Sequence, residues 1–233
     1  MLAMILIMGI TYKIVLETMP EVSEAAEATG ESIPATFSSF LLGFSSVSMF
    51  SMLTAIFTSI VVCGDYDSQI VKNIYARGYS REHHYFAKLL YVFVTTTVMF
   101  LFAVIVSCAV GGALFGFEGV TGKIFLLLCG QYVVCMSGVA FSFAFAEIIK
   151  KLGAAIAVNI IAPTIIPLIF ELADTALKIK DFKISDVWMS SFLTSLMNLD
   201  EVTGRIIVCI VGAIVYAALF IAAGFFASRK TEV

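Results

Sequence analysis

Six apolar runs, separated by short polar segments, constrain the fold of this chain more than any other feature of its sequence. The runs span about residues 2–16, 40–63, 89–115, 123–146, 152–170 and 206–227. Five of them reach the roughly 20 residues that an α-helix needs to cross a bilayer. We therefore predict that residues 1–233 form a single all-α, polytopic membrane domain with six transmembrane helices.

The composition supports this prediction. Hydrophobic residues make up 61% of the chain and charged residues only 13%, which leaves too little polar surface to cover a soluble globule of 233 residues. A soluble domain is thereby excluded, and the expected surroundings are a lipid bilayer. Nothing in the sequence, whose net charge is −3, indicates nucleic-acid binding.

The first run is shorter than a complete span. It begins at Met1 with no basic segment ahead of it, so it resembles neither a signal peptide nor a whole transmembrane helix. We expect the natural chain to begin further upstream, which would make the first helix of this sequence a truncated one.

The charged residues between the runs predict the orientation. With the amino terminus inside the cell, the inner segments carry eight Lys and Arg against five acidic residues, and the outer segments carry six against twelve. The excess of basic residues then lies on the cytoplasmic side, as the positive-inside rule requires. Both termini are predicted to be cytoplasmic, in the cell membrane of a bacterium. The acidic segment 17–36 is predicted to be a solvated outer loop.

Cysteine accessibility tests this orientation. In a variant whose five native cysteines are replaced, a cysteine at position 24 should react with a membrane-impermeant maleimide in intact cells. A cysteine at position 77 should react only after permeabilisation, because the reagent reaches it from the cytoplasm alone. Labelling of position 77 in intact cells, with position 24 protected, would show the opposite orientation.

Segment 64–88, hereafter the loop, is the longest polar interval that this orientation places in the cytoplasm. Tyr66, Ile70 and Ile74 recur every four residues, which predicts a short amphipathic helix whose apolar side packs on the membrane domain. The loop is therefore predicted to contain a helix that lies against the ends of the spans.

The polar residues of the loop predict where its helices begin and end. Asp65 and Asp67 are predicted at the start of the first helix, where the helix dipole favours negative charge. Gly78 is suited to end that helix in a left-handed conformation, and Ser80 is suited to cap a second helix. The loop is predicted to be a helix, a sharp corner and another helix.

Two prolines and two uncharged polar residues lie within the predicted spans. Pro163 and Pro167 predict a kink or break in the fifth helix, which would serve either a substrate path or helix packing. Gln131 and Asn159 are predicted to hydrogen-bond across helices.

The outer segment 171–205 contains a third helical pattern. Trp188, Phe192 and Leu196 recur at helical spacing. They predict an interfacial or re-entrant helix with Trp188 near the lipid headgroups, where tryptophan is common.

The sequence contains no recognisable catalytic or metal-binding motif. All five cysteines fall in apolar runs without CxxC spacing, and His83 and His84 have no set of carboxylate partners nearby in the sequence. The string GFEGVTGKI at 116–124 departs from a phosphate-binding loop in its glycine spacing and in Ile124, where a Ser or Thr would hold magnesium. We expect no cofactor and no metal on this chain.

The loop also contains a recognisable series of residues. In order, these are Asp65-Tyr66, Ile70-Val71-Lys72-Asn73-Ile74, Arg77-Gly78-Tyr79-Ser80-Arg81 and Lys88. The series resembles the first cytoplasmic loop of the ABC transporter permeases of the ABC-two type, which pair with a separate ATPase. In that family an acid, a glycine, a Lys-Asn pair, a Gly-x-Ser-Arg corner and a later lysine are usual, and Ser68 here replaces the glycine. Six spans and a long outer segment before the last span are also similar.

The resemblance implies a non-catalytic membrane subunit of an ATP-driven exporter. Two copies, or one copy and a paralogue, would pack together, and an ABC ATPase subunit carrying ATP and Mg²⁺ would bind beneath each. The loop would dock on the ATPase and transmit its closure to the spans. The residues expected to contact the ATPase are Asp65, Asp67, Lys72, Arg77, Tyr79 and Arg81. The cargo stays open among peptide antibiotics, other drugs, lipids and ions.

Two other classes of protein remain open at this point. An intramembrane enzyme would also be a six-span chain, but it would need acids or histidines that face each other at membrane depth. A secondary transporter or channel would use the interrupted fifth helix. A plainer interpretation of the basic loop residues is that they fix the topology and touch anionic lipid.

Overall fold

The computed structural model describes residues 37–46, 48–68, 70–116, 122–177, 188–196 and 203–230, together with parts of segment 5–14. Within these ranges the chain is helical and has no strand, which confirms the predicted all-α class. The helices are α1 (Phe37–Ser46), α2 (Ser48–Asp67), α3 (Ile70–Ala76), α4 (Arg81–Phe115), α5 (Gly122–Ile149), α6 (Leu152–Leu177), α7 (Met189–Ser195) and α8 (Thr203–Lys230). The predicted acidic loop 17–36 lies outside the described residues.

Four of these helices are long and apolar enough to cross a membrane. They are Arg81–Phe115, Gly122–Ile149, Leu152–Ala176 and Gly204–Arg229. The last four predicted runs fall on them. The run at 40–63 falls on α1 and α2, between which residue 47 lies outside the described residues.

Helix α5 lies at the centre of the fold. It packs against α1, α2, α4, α6, α7 and α8. More than half (56%) of the apolar stretch of α5 is buried, against 11% for α6. The other described helices therefore leave most of the apolar surface of α6 uncovered. Helix α8 approaches α5 closely at Gly224, where an added Cβ would lie 3.2 Å from Ala144 Cα.

Helices α1 and α2 together run along most of α4. Near the end of α4, a Cβ added at Gly111 would lie 3.2 Å from Phe37 Cδ2 of α1. Near its start, Lys88 Nζ lies 3.2 Å from Asp65 Oδ2 of α2. These two contacts are about 35 Å apart at roughly 1.5 Å of rise per residue, which is about the thickness of a bilayer core. Lys13 Nζ donates to Leu114 O at 3.1 Å, so segment 5–14 reaches the same end of α4 as α1.

The predicted break in the fifth helix is wrong. Helix α6 continues from Leu152 to Leu177 with both Pro163 and Pro167 inside it. Proline is tolerated within membrane helices because neighbouring groups can satisfy the backbone carbonyls that it frees. The two prolines therefore do not divide this helix into two.

The helix predicted around Trp188 forms as α7, and the place of Trp188 near the headgroups stays a prediction. Trp188 precedes α7 and is buried, with edge-on contacts to Phe141, Phe170 and Tyr216. Tyr216 lies near the middle of α8. The residue that precedes α7 therefore lies beside the middle of α8 and not beside its end. Of the two forms that the sequence predicted, these contacts fit a re-entrant segment. Three aromatic partners bury the Trp188 ring inside the protein.

Candidate functional site

The corner of the loop is built as its glycine and serine predict. Helix α3 ends at Ala76, and the Gly78 N–H donates to Tyr75 O at 3.0 Å. Gly78 has a φ of +86°, a left-handed conformation that glycine adopts at little cost. Ser80 caps α4, since its hydroxyl oxygen accepts from the His83 N–H at 3.3 Å. Local sequence signals therefore fix the helix–corner–helix shape.

The start of the loop differs from the prediction. Asp65 and Asp67 lie in the last turn of α2, not at the start of α3. Helix α2 extends past its apolar run because Asp65 finds a charged partner on α4. Helix α3 begins only at Ile70, so the four-residue period that starts at Tyr66 is not continuous. As a result Val71 is buried, whereas Ile70 is 47% exposed.

Five of the six residues predicted to contact an ATPase form an exposed polar surface on the loop. Lys72, Arg77 and Arg81 are exposed, Tyr79 is 65% exposed, and Asp67 lies exposed at the end of α2. Three cations and one tyrosine thus project from a short segment whose backbone is fixed on both sides. The sixth residue, Asp65, turns inward.

Asp65 belongs to a group of four side chains that we call the ionic cluster, formed by the buried Lys88 and Glu147 and the half-buried Asp65 and Tyr66. Lys88 Nζ lies 3.2 Å from Asp65 Oδ2 and 3.6 Å from Glu147 Oε1, and it donates to Val62 O at 3.3 Å. Tyr66 Oη donates to Glu147 Oε2 at 2.7 Å. The cluster therefore joins α2, α4 and α5 at the base of the loop.

The ionic cluster is shielded from solvent. The Lys88 side chain is 3% exposed and that of Glu147 is 1% exposed. Charges buried to this extent are stable only when they are paired and hydrogen-bonded. These groups consequently hold the ends of α2, α4 and α5 together, because separating them would leave a buried charge without a partner.

Burial shifts the pKa of Tyr66, a member of the cluster, and of the neighbouring Lys150. Burial raises the pKa of the Tyr66 hydroxyl, and the neighbouring Glu147 raises it further, so Tyr66 remains a hydrogen-bond donor. Burial lowers the pKa of the Lys150 ammonium group, while Glu147 acts in the opposite direction. Lys150 Nζ lies 5.0 Å from the centroid of the Tyr66 ring, which adds a second cation to this side of the cluster.

The corner has a second, weaker attachment to α8. Arg81 Nη1 donates to Arg229 O at 3.4 Å, and the Arg229 guanidinium pairs with the Glu82 carboxylate. The Arg229 and Glu82 side chains are about half exposed, and exposed pairs of this kind contribute little to stability. The ionic cluster is the main attachment of the loop.

The sequence interpretation missed the pairing of Lys88 with Glu147. It treated Glu147 only as one of the acids on the inner side, and Lys88 only as part of the family pattern. A signal was available, because each residue is a charge placed directly at the edge of an apolar run on the same side of the membrane.

The polar residues predicted within the spans have separate positions. Gln131 is fully buried, and its Nε2 donates to Leu42 O at 3.0 Å and to Leu196 O at 3.3 Å. Leu196 caps the end of α7, where backbone carbonyls lack partners within the helix. Gln131 therefore holds the two short helices α1 and α7 on α5, as the packing interpretation predicted.

Asn159 and Pro163 line a cavity between α2, α5, α6 and the start of α7. The Asn159 Nδ2 group donates to Ser59 Oγ at 2.9 Å and to Ser142 O at 3.0 Å. This confirms that Asn159 hydrogen-bonds across helices. Pro167 is not among the described residues that line the cavity. Across the described parts of the chain, no group of three or more His, Cys, Asp and Glu side chains is placed to hold a metal ion.

The fold and the site define a class of protein. Four long apolar helices, of which α5 is the central one, with charged residues paired at one end, are the architecture of an α-helical membrane protein. The chain belongs to the family described as "Protein of unknown function (DUF2705)", which matches residues 24–233. Comparisons with curated proteins and with solved structures found no match.

Proposed function

We propose that this chain is the membrane-spanning subunit of an ATP-driven ABC exporter and has no catalytic activity of its own. The loop docks on a separate ABC ATPase subunit, which binds ATP and Mg²⁺. A second copy or a paralogue completes the transport unit in the bacterial cell membrane. The resemblance of the loop to ABC-two permeases supports this proposal, and so does the way in which the loop is attached.

The observation that carries the proposal is the combination of an exposed corner and a buried base. A coupling element must offer a charged surface to its partner and must pass the partner's movement to the membrane helices. Arg77, Tyr79 and Arg81 provide the surface. The pairing of Lys88 with Asp65 and Glu147 links the base of the loop to α2 and α5, so the corner cannot move without them.

We also propose six spans with both termini in the cytoplasm. Support for a single crossing by α1 and α2 comes from their contacts with opposite ends of α4, at Gly111 and Lys88. Segment 5–14 lies beside the same end of α4, where Lys13 Nζ donates to Leu114 O, and we assign it to the sixth crossing. In this arrangement the corner and Lys150 face the cytoplasm, and the start of α5 faces outward.

Photo-crosslinking in native membranes tests the proposed docking. A photoreactive phenylalanine analogue placed at Tyr79, which is 65% exposed at the corner, should form an adduct with an ABC ATPase subunit. We expect this because a side chain at the tip of a docking element lies within contact distance of its partner. Mass spectrometry of the purified adduct identifies the protein that is captured.

Phe125 provides the matched control. It is also aromatic and is 74% exposed, but it lies near the start of α5, at the end opposite Glu147. The same analogue at position 125 should capture no ATPase. An ATPase adduct of equal yield at both positions, or none at position 79, would contradict the proposal.

A further inference from the structure

We infer that the cavity beside Asn159 is a binding site for a small neutral molecule that has an apolar body and one hydroxyl or N–H donor. The site lies between α2, α5, α6 and α7 and has a volume of about 80 Å³. The inference does not depend on the proposed transport function, because it concerns only the groups that line this cavity.

The lining is mainly apolar and aromatic, and its polar members are Asn159 and four hydroxyl residues, Ser51, Thr54, Ser142 and Ser190. Phe50, Phe141, Pro163 and Trp188 provide apolar walls, and Asn159 lines the same space. None of the described residues that line the cavity is charged, so an ion would find no counter-charge there. Pockets of this composition bind neutral ligands and orient them through a few polar groups.

Asn159 supplies one such polar group. It is 2% exposed, and both hydrogens of its amide nitrogen have acceptors, Ser59 Oγ and Ser142 O. Because a backbone carbonyl can only accept, the bond to Ser142 fixes which end of the amide is the nitrogen. Asn159 Oδ1 then has no donor among the described residues. A buried acceptor without a donor favours a ligand that brings one.

The volume limits the size of the ligand. A water molecule takes up about 30 Å³ in the liquid, so this cavity holds a few waters or one molecule of a few non-hydrogen atoms. Gly138 lines the cavity, and an added Cβ there would meet no atom within 4 Å, so there is open space beside α5. A hydroxyl donated to Asn159 would leave the apolar part of a small alcohol against Trp188.

Trp188 is the only tryptophan of the chain and makes binding measurable. The probes are 2-bromoethanol and 1-bromopropane, which have the same number of non-hydrogen atoms and both quench tryptophan fluorescence, but only the first carries a hydroxyl donor. With the full chain in lipid nanodiscs, and after correction for partitioning into lipid, 2-bromoethanol should quench saturably. Its half-saturating concentration should be about tenfold lower than that of 1-bromopropane, the value expected for one net hydrogen bond.

Three variants show whether the preference arises at this site. Asn159→Leu should remove the tenfold preference, because it removes the acceptor. Ser59→Ala should keep it, since it removes only a partner of the amide nitrogen. Gly138→Leu should abolish saturable quenching by filling the open space, without touching Asn159.

Two results would overturn the inference. One is equal, non-saturable quenching of the wild-type chain by the two probes, which would mean that only water or lipid occupies the cavity. The other is a hydroxyl preference that survives in Asn159→Leu, or saturable quenching that survives in Gly138→Leu. If Asn159→Leu does not fold, as judged by circular dichroism and size exclusion, Gly138→Leu decides the question alone.

Discussion

Replacement of Lys88 by methionine is expected to destabilise the chain by roughly 3–5 kcal/mol, the cost of breaking a buried ion pair. The substitution leaves the Glu147 carboxylate, whose side chain is 1% exposed, without its cationic partner. Asp65 suffers less, because its side chain is 34% exposed and can reach water. Reversible unfolding in mixed detergent micelles, followed by circular dichroism, measures the free energy of unfolding.

Two control variants show whether the loss of stability arises because a charge is left buried without a partner. The double variant Lys88→Met/Glu147→Leu should recover much of the lost stability, since replacing both members of a buried pair by apolar residues is often close to neutral. Arg229→Met breaks an exposed pair with Glu82 and should cost at most about 1 kcal/mol. If Lys88→Met cost no more than Arg229→Met, the cluster would be hydrated and would not fix the base of the loop.

The parts of the fold that sequence predicted well are those that local signals determine. Apolar length alone identified the four candidate spanning helices, because a helix in lipid must satisfy its own backbone groups. At the corner, Gly78 and Ser80 predicted the turn and the cap, since each acts within a few residues. These features need no knowledge of the rest of the chain.

The parts that could not be predicted depend on distant contacts. Tyr66 meets Glu147 across 81 residues of sequence, and no periodicity indicates which acid a buried lysine or tyrosine will find. The burial of Trp188 against Phe141, Phe170 and Tyr216 was not predicted, because these partners lie on three other helices.

The candidate site shows the same contrast. The exposed residues Arg77, Tyr79 and Arg81 were selected from sequence, because loop position and family resemblance both indicate them. The contact of Asp65 with Lys88 was not predicted, since it exists only once α2 and α4 pack together. The family pattern contains both residues but does not reveal that they form one cluster with Glu147.

Reversal of both corner arginines should have the largest effect on function. Arg77→Glu/Arg81→Glu replaces two exposed cations with anions and leaves the ionic cluster and the spans unchanged. Against an acidic groove on the ATPase, like charges in contact cost several kcal/mol, which corresponds to roughly a hundredfold or greater loss of affinity. The variant should fold and insert normally and yet lose ATP-driven transport.

A matched double variant excludes a general effect of charge. Lys123→Glu/Arg205→Glu makes the same change in net charge in the segments assigned to the opposite side of the membrane. It should recruit the ATPase as the wild-type chain does. If the corner arginines served only to orient the chain, Arg77→Glu/Arg81→Glu would instead be inserted wrongly, because the orientation follows the basic residues of short loops.

The most direct test of the docking proposal is the amount of ATPase that co-purifies with each variant, together with protease protection of the corner. We predict full recovery with the wild-type chain and with Lys123→Glu/Arg205→Glu, and a loss of roughly a hundredfold in affinity with Arg77→Glu/Arg81→Glu, whose corner remains protected in intact cells. Normal ATPase recovery and normal transport by a correctly inserted Arg77→Glu/Arg81→Glu variant would contradict the role of the loop as the docking element.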